Sequence, residues 1–495
     1  MIKRDNRRYL WTALGVSIVL FSLFKIFYPH PFMIWDSYMY VKGALLDWDA
    51  NFWPIGYSKF LHLFSWLSRS ATLLVWLQYM VLESACLLFF FTILFLFRPS
   101  KLLANIIFVF FFCNPILIYI SNYILSDSLF TALSILWVTQ LMWIIYHPRP
   151  YMILVQALLL AFAFSIRYGA LYYPIFATAV LLFSRLSIRY KISGILLQFV
   201  LVVSFIFYTR GAMLGLTGVR QFSPFGGWQV ANNALYMYSH VYNERADAIP
   251  VQFYPLDSTV RSYFDRTHRT ESLLDYNAEG TGFYFMIRGP LITYMNMNWQ
   301  NGPDTTLPNL RKFGPAGYTY SEYGGFLITR FPVAFLRYWA FPNSLRYFYP
   351  PTEMFSKLSP YIFRLDQYGK MATQLFGIRT LAVGWPLIHL QMTLTSWYPM
   401  FFMLLNLSFV LANIGFFFFG GLKIENKVSL YVILSIDLLW LFNLCFSALA
   451  ACTVLRYQIF IMLVEFPFVL LLADLIYQGL PQKVKMAMVN DRGKS

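Results

Sequence analysis

Residues 72–97 read TLLVWLQYMVLESACLLFFFTILFLF, with Glu83 the one ionisable side chain among them apart from Tyr79 and Cys86. As a helix at 1.5 Å per residue this stretch covers about 39 Å, more than the roughly 30 Å of hydrocarbon in a bilayer. Nine further apolar stretches repeat the pattern, at about 9–28, 102–120, 124–146, 151–166, 168–184, 192–208, 396–420, 429–448 and 454–478. The pair 151–166 and 168–184 is short and is joined by Arg167-Tyr168-Gly169. Composition points the same way. Of 495 residues, 59% are apolar and 12% charged, against about 45–50% and 25% in soluble chains. The sequence therefore predicts an all-α polytopic membrane protein of about ten transmembrane helices. Bulky Lys25-Ile26-Phe27-Tyr28-Pro29 follows the first span where a cleavage site would need small residues, so that span reads as a retained anchor.

The net charge of +16 would suggest nucleic acid in a soluble protein, but its distribution gives another reason for it. With the N-terminus inside, the short inner segments hold 16 basic residues against Asp5, Glu425 and Asp491. The first outer segment, 29–71, is balanced at three of each sign. This asymmetry is the positive-inside rule, and it leaves the lipid bilayer, not nucleic acid, as the partner. Three regions follow: 1–208, a transmembrane module with the outer segment 29–71; 209–395, a large extracytoplasmic loop region; and 396–495, the last helices and a short cytoplasmic tail. Within the loop region, 325–341 (GFLITRFPVAFLRYWAF) reads as an interfacial helix lying on the membrane. The four cysteines fall in or beside spans, and no Walker A loop, HExxH or CxxC occurs.

The chemistry-bearing residues gather at the outer side. The first outer segment contains Asp36-Ser37-Tyr38-Met39-Tyr40, then Trp53-Pro54-Ile55-Gly56-Tyr57-Ser58-Lys59. A carboxylate close to the outer face can accept a proton from a hydroxyl or bind a cation; taken alone it reads as a solvated loop acid. Ser126-Asp127-Ser128-Leu129-Phe130 opens the fourth span, where an acid in the first turn also serves the helix dipole and the free N–H groups. Arg167 and Arg456-Tyr457 stand at outer span boundaries. Arginine there snorkels to the interface, and its planar fork also suits a phosphate. Lys59 and Arg210 are further cations on that side.

These words, in this order, resemble the integral-membrane glycosyltransferases of the GT-C superfamily. They are similar to the protein mannosyltransferase, aminoarabinose transferase and O-antigen-modifying glucosyltransferase families. The likeness spans mainly 1–208 and 325–478. It implies an inverting transfer of a monosaccharide from a polyprenyl-phosphate donor to a hydroxyl of an envelope glycan or a protein, on the extracytoplasmic face of a bacterial inner membrane. It implies catalytic roles for Asp36 and Asp127, with Arg167, Arg456, Lys59 and Arg210 on the donor phosphate and Tyr40 and Tyr57 on substrate. No cofactor is required, although a divalent metal held by Asp36 and Asp127 is compatible with the pattern. His62 and His268 lack the spacing of metal ligands.

Two rivals stand beside this reading. A glycan polymerase or ligase also combines many spans with a large outer loop. A transporter or flippase uses membrane-embedded acids, and Glu83, Asp437 and Glu465 fall inside spans, where an acid costs several kcal/mol unless it is paired or protonated. Bonding to neighbouring helices is the plainer account of those three. The enzyme reading requires Asp36, Asp127, Arg167 and Arg456 to surround one outward-facing cavity.

Overall fold

The computed structural model describes residues 6–243, 249–267, 283–285, 288–299, 310–355, 367–377, 385–423 and 426–479. His268, and the basic residues of 480–495 counted among the inner charges, lie outside them. The chain is an all-α polytopic membrane protein. α1 (Arg7–Phe27) leads into two short helices of the first outer segment, α2 (Trp35–Leu45) and α3 (Gly56–Leu67). Next come α4 (Ala71–Phe97), α5 (Lys101–Phe112), α6 (Pro115–Ser121), α7 (Ser126–Tyr146), α8 (Tyr151–Ile166), α9 (Tyr173–Phe183) and α10 (Ile188–Thr217). Among the described residues, eight stretches of helix are long and apolar enough to cross a membrane, and two more, Tyr151–Ile166 and Tyr168–Phe183, are apolar but shorter.

Local chemistry sets the helix ends. Ser70 and Ser100 accept from the backbone N–H groups of Leu73 and Leu103 and so cap α4 and α5. The span expected at 102–120 is interrupted at Asn114, whose side chain accepts from the N–H of Ile116 ahead of Pro115 at the first position of α6. Tyr398 donates to the same Asn114 side chain and ties this break to a distant helix.

The region 209–395, expected as loop, is largely helical where described. α10 continues to Thr217 and stops at Gly218, whose φ of 75° suits a residue without a Cβ. There follow α11 (Pro224–Val241), α12 (Tyr254–Thr267), α13 (Pro290–Asn298), α14 (Leu310–Arg330), α15 (Pro332–Phe335), α16 (Phe341–Phe348), α17 (Gln367–Phe376) and α18 (Trp385–Ser396). α19 (Tyr398–Phe418), α20 (Lys427–Ala450) and α21 (Leu455–Gly479) complete the bundle.

The outer helices have their own core around Trp228, Tyr236, Tyr320 and Trp339. α11 and α14 meet backbone to backbone. A Cβ built on Gly227 would lie 1.8 Å from the Gly317 carbonyl oxygen, and one on Gly317 would lie 2.4 Å from that of Pro224. Such contact is open only to glycine. Beneath it, the carboxylate of Asp257 accepts from Tyr238 and Tyr323, each at 2.8 Å, and pairs with Arg261 at 2.5 Å.

The single interfacial helix expected at 325–341 is not formed. α14 ends at Arg330, Pro332 opens α15, and Leu336–Ala340 is a π-turn before α16. Pro332 has no N–H to continue the ladder, and its ring disfavours helical backbone at Phe331. The bent segment buries Phe335 and Trp339, while Val333, Leu336 and Phe341 stay exposed.

Gly317→Ala is expected to destabilise the protein by about 1–3 kcal/mol through overpacking, seen as a lower midpoint of thermal unfolding in detergent. Gly211→Ala, at a helical position with open space around it, is the control and should not lower the midpoint. Equal effects of the two substitutions would remove the close-contact argument.

Candidate functional site

Two aspartates occupy matching positions at one end of the bundle. The N–H of Phe32 donates to the carbonyl of Asn122 at 2.8 Å, and the N–H of Ile124 donates to that of Phe32 at 3.0 Å, forming an isolated parallel bridge between Phe32 and Tyr123. Four residues beyond Phe32 lies Asp36, and four beyond Tyr123 lies Asp127. Each is the second residue of its helix, α2 and α7 respectively. α2 begins where Ser37 Oγ accepts from the N–H of Ile34 at 3.0 Å. Asp127 makes no side-chain cap. Its carboxylate pairs with Arg167 instead, while the helix dipole still favours its charge.

Arg167 stands between α8 and the 3₁₀ turn Tyr168–Tyr172. The glycine of the Pro54-Ile55-Gly56-Tyr57 stretch is packed onto the same strip of chain, since a Cβ on Gly56 would lie 2.5 Å from the Ser165 carbonyl oxygen. Two separate sequence motifs thus meet in one contact that seats Arg167.

Arg456 is the second residue of α21, at the positive end of a helix dipole and only 7% exposed. Carboxylates compensate it. Its Nη1 lies 3.3 Å from Asp36 Oδ2 and 3.7 Å from Asp127 Oδ2, and its Nε lies 2.9 Å from Glu353 Oε2. The ring of Tyr457 sits against both cations, 4.4 Å from the Arg167 guanidinium and 4.8 Å from that of Arg456. Glu353 arrives on a segment held by the Leu455 N–H, which donates to the Pro351 carbonyl at 2.9 Å. The residue itself adopts a left-handed φ of 49°.

Asp36, Asp127, Arg167 and Arg456 line a single cavity of about 710 Å³, together with Tyr40 and Arg210. The two acids are not equivalent in it. The Asp127 side chain is 2% exposed and that of Asp36 is 23% exposed. Burial pushes the Asp36 carboxyl above the usual aspartate range, partly offset by Arg456 and reinforced by Asp127. Asp36 is thus the more accessible carboxylate of the two. Tyr40 turns its hydroxyl to Ser126 Oγ at 3.1 Å.

Other expected residues are placed elsewhere. Lys59 is not in the cavity lining; it pairs with Asp47 at 2.8 Å and Asp49 at 3.4 Å. Tyr57 is buried behind the lining, donating to Gln78 Oε1 at 2.5 Å with its ring against Tyr40. His62 Nδ1 lies 2.8 Å from the Ala44 carbonyl oxygen. Among the described residues no three His, Cys, Asp or Glu side chains gather as metal ligands. The Arg456 guanidinium spans Asp36 and Asp127, the position a cation shared by them would take. Glu353 and Arg220 are the members that sequence reasoning left out, and Tyr457 entered it only as part of the Arg456-Tyr457 motif, without a role of its own.

The acids inside the spans sit apart from this cluster. Glu83 has Ser17 and Tyr79 as its neighbouring donors. Glu465 and Asp437 are buried without well-directed hydrogen bonds, with Trp440 and Asn413 as their neighbouring donors. None of the three lines the cavity. No family model, curated protein or solved structure matches this chain.

Arg167→Met leaves a buried carboxylate short of its main partner. It is expected to destabilise the protein by about 3 kcal/mol or more, with part of the loss recovered on adding Asp127→Asn. Thermal unfolding of the purified variants checks both halves, and an unchanged midpoint for Arg167→Met would show the pair to be energetically idle.

Proposed function

We propose that the chain is an inverting glycosyltransferase. It moves a monosaccharide from a polyprenyl-phosphate donor to a hydroxyl of an envelope glycan, with a protein hydroxyl as the second choice of acceptor, at the outer face of a bacterial inner membrane. The observation that carries this reading is the cavity, which combines the accessible Asp36 carboxylate beside Arg456, further guanidiniums and apolar walls at one end of a membrane bundle. Leu171, Ile206, Phe446 and Phe460 belong to its apolar lining. Leu171 is also exposed, and an apolar lining of this kind suits a substrate with a hydrocarbon tail.

In the proposed reaction the acceptor oxygen attacks the anomeric carbon from the side opposite the phosphate. The new carbon–oxygen bond forms as the bond from that carbon to the phosphate oxygen breaks. The electron pair leaves with the polyprenyl phosphate, and Asp36 takes the acceptor proton. Cationic side chains stabilise the charge that grows on the leaving phosphate. Asp127, buried and paired, keeps Arg167 and Arg456 in place. The reaction needs no redox partner, and the aromatic walls of the cavity suit stacking on sugar rings.

The test supplies membranes containing the protein with a panel of polyprenyl-phosphate sugars and analyses the glycan formed. Asp36→Asn should reduce transfer by at least about 10²–10⁴-fold while the protein still inserts and unfolds at an unchanged midpoint. A variant with full activity would end the assignment of Asp36 as base. A general base must be ionised to act. Because burial raises the Asp36 carboxyl, the rate should therefore fall as pH drops through a value above the ordinary aspartate range of about 3.9. A pH–rate profile that stays flat from pH 7 down to 4 would contradict this.

A further inference from the structure

Charge divides the four arginines of the cavity into two pairs. Arg167 and Arg456 are already engaged, by Asp36, Asp127 and Glu353 at contact distances. Two guanidiniums facing three carboxylates leave that group formally negative by one when all are ionised. A phosphate brought against it would find its donors taken and a surplus of its own sign.

Arg210 and Arg220 line the same cavity, as does the exposed Glu322 of α14; two guanidiniums and one carboxylate leave this side formally positive by one. Among the described residues neither has an ion pair or hydrogen bond within the protein. The fold brings them together. Arg210 lies near the end of α10, Gly218 stops that helix in the left-handed conformation, and the chain turns so that Arg220 reaches the cavity as well. Ser223 then caps α11, accepting from the N–H of Gly226 at 3.0 Å, and the first turn of that helix also lines the cavity through Phe225 and Gly226. The positive end of an 18-residue helix therefore adds to the two free guanidiniums. One turn back from Arg210, Ile206 lines the cavity, and Phe207 is exposed on the outside of α10. An anion at this place has an apolar path to the lipid beside it.

We infer that Arg210 and Arg220 form the seat for the lipid phosphate, and that Arg167 and Arg456 are positioning residues that hold the two aspartates. This rests on the glycosyl-transfer reading; it keeps Arg210 on the phosphate as the sequence implied, adds Arg220, and takes Arg167 and Arg456 off it. The phosphate is bound from the α10–α11 turn, so the sugar projects from there toward Asp36. Discharge of Glu353 leaves donor binding largely unaltered, whereas discharge of Arg210 and Arg220 weakens it.

The experiment measures binding of farnesyl phosphate to the purified full-length protein in detergent, by intrinsic tryptophan fluorescence, with farnesol and inorganic phosphate as companion probes. For Arg210→Gln/Arg220→Gln the Kd for farnesyl phosphate should rise about tenfold to a hundredfold, with farnesol binding unchanged. Arg210→Lys/Arg220→Lys, which keeps both charges, should recover most of the affinity and guards against a folding defect. Glu353→Gln should leave the Kd within about twofold. If the glutamine pair binds farnesyl phosphate as well as the wild type, the seat lies elsewhere and the inference falls, while the proposed reaction stands. If inorganic phosphate competes as strongly as farnesyl phosphate, the seat takes a free anion rather than a lipid. If the wild type binds no prenyl phosphate at all, the glycosyl-transfer reading falls with it.

Discussion

A guanidinium withdrawn from water at the start of a membrane helix cannot stand alone, and one end of this protein is organised around that constraint. Arg456 is compensated by Asp36 on α2, Asp127 on α7 and Glu353 on the turn after α16. Removing one partner from such a group costs several kcal/mol, so each segment is held where the charge needs it. The backbone bridge at Phe32 and Tyr123 sets the two aspartates in matching registers. The contact of Gly56 with Ser165 does the same for Arg167. What results is an ordered arrangement of charge in which Asp36, unlike Asp127, is left open to the cavity.

The spans were legible because lipid imposes a simple demand, a long run of apolar residues with internally satisfied backbone. Residues 72–97 meet it plainly, and the structure extends that helix by one residue, to Ala71. The outer region obeys a different demand and was read as loop. Its helices are held by glycines in backbone contact, such as Gly227 on Gly317, and by buried tyrosines around Asp257. Neither device raises the local hydropathy. Pro332, visible in the sequence, marks the bend that divides the segment read as one interfacial helix.

Within the site, legibility followed sequence proximity. Asp36, Asp127, Arg167 and Arg456 each stand at the edge of a span, where an ionisable residue is conspicuous, and all four reach one cavity. Lys59 was conspicuous for the same reason, but two acids ten and twelve residues before it take its charge. Glu353 has no motif around it beyond Pro350 and Pro351, and its meaning depends on a partner more than a hundred residues away. Arg220 lies past a helix end that hydropathy set too early. Only the turn at Gly218 shows that it shares a cavity with Arg210.

The separation of 420 positions between Asp36 and Arg456 has a bearing on how the protein is made. A ribosome delivers α2 long before α21. Of the two arginines that pair with the aspartates, Arg167 precedes and Arg456 comes with α21. That helix therefore works as a keystone: the elements of the site are laid down early, and the residue that joins them is added late.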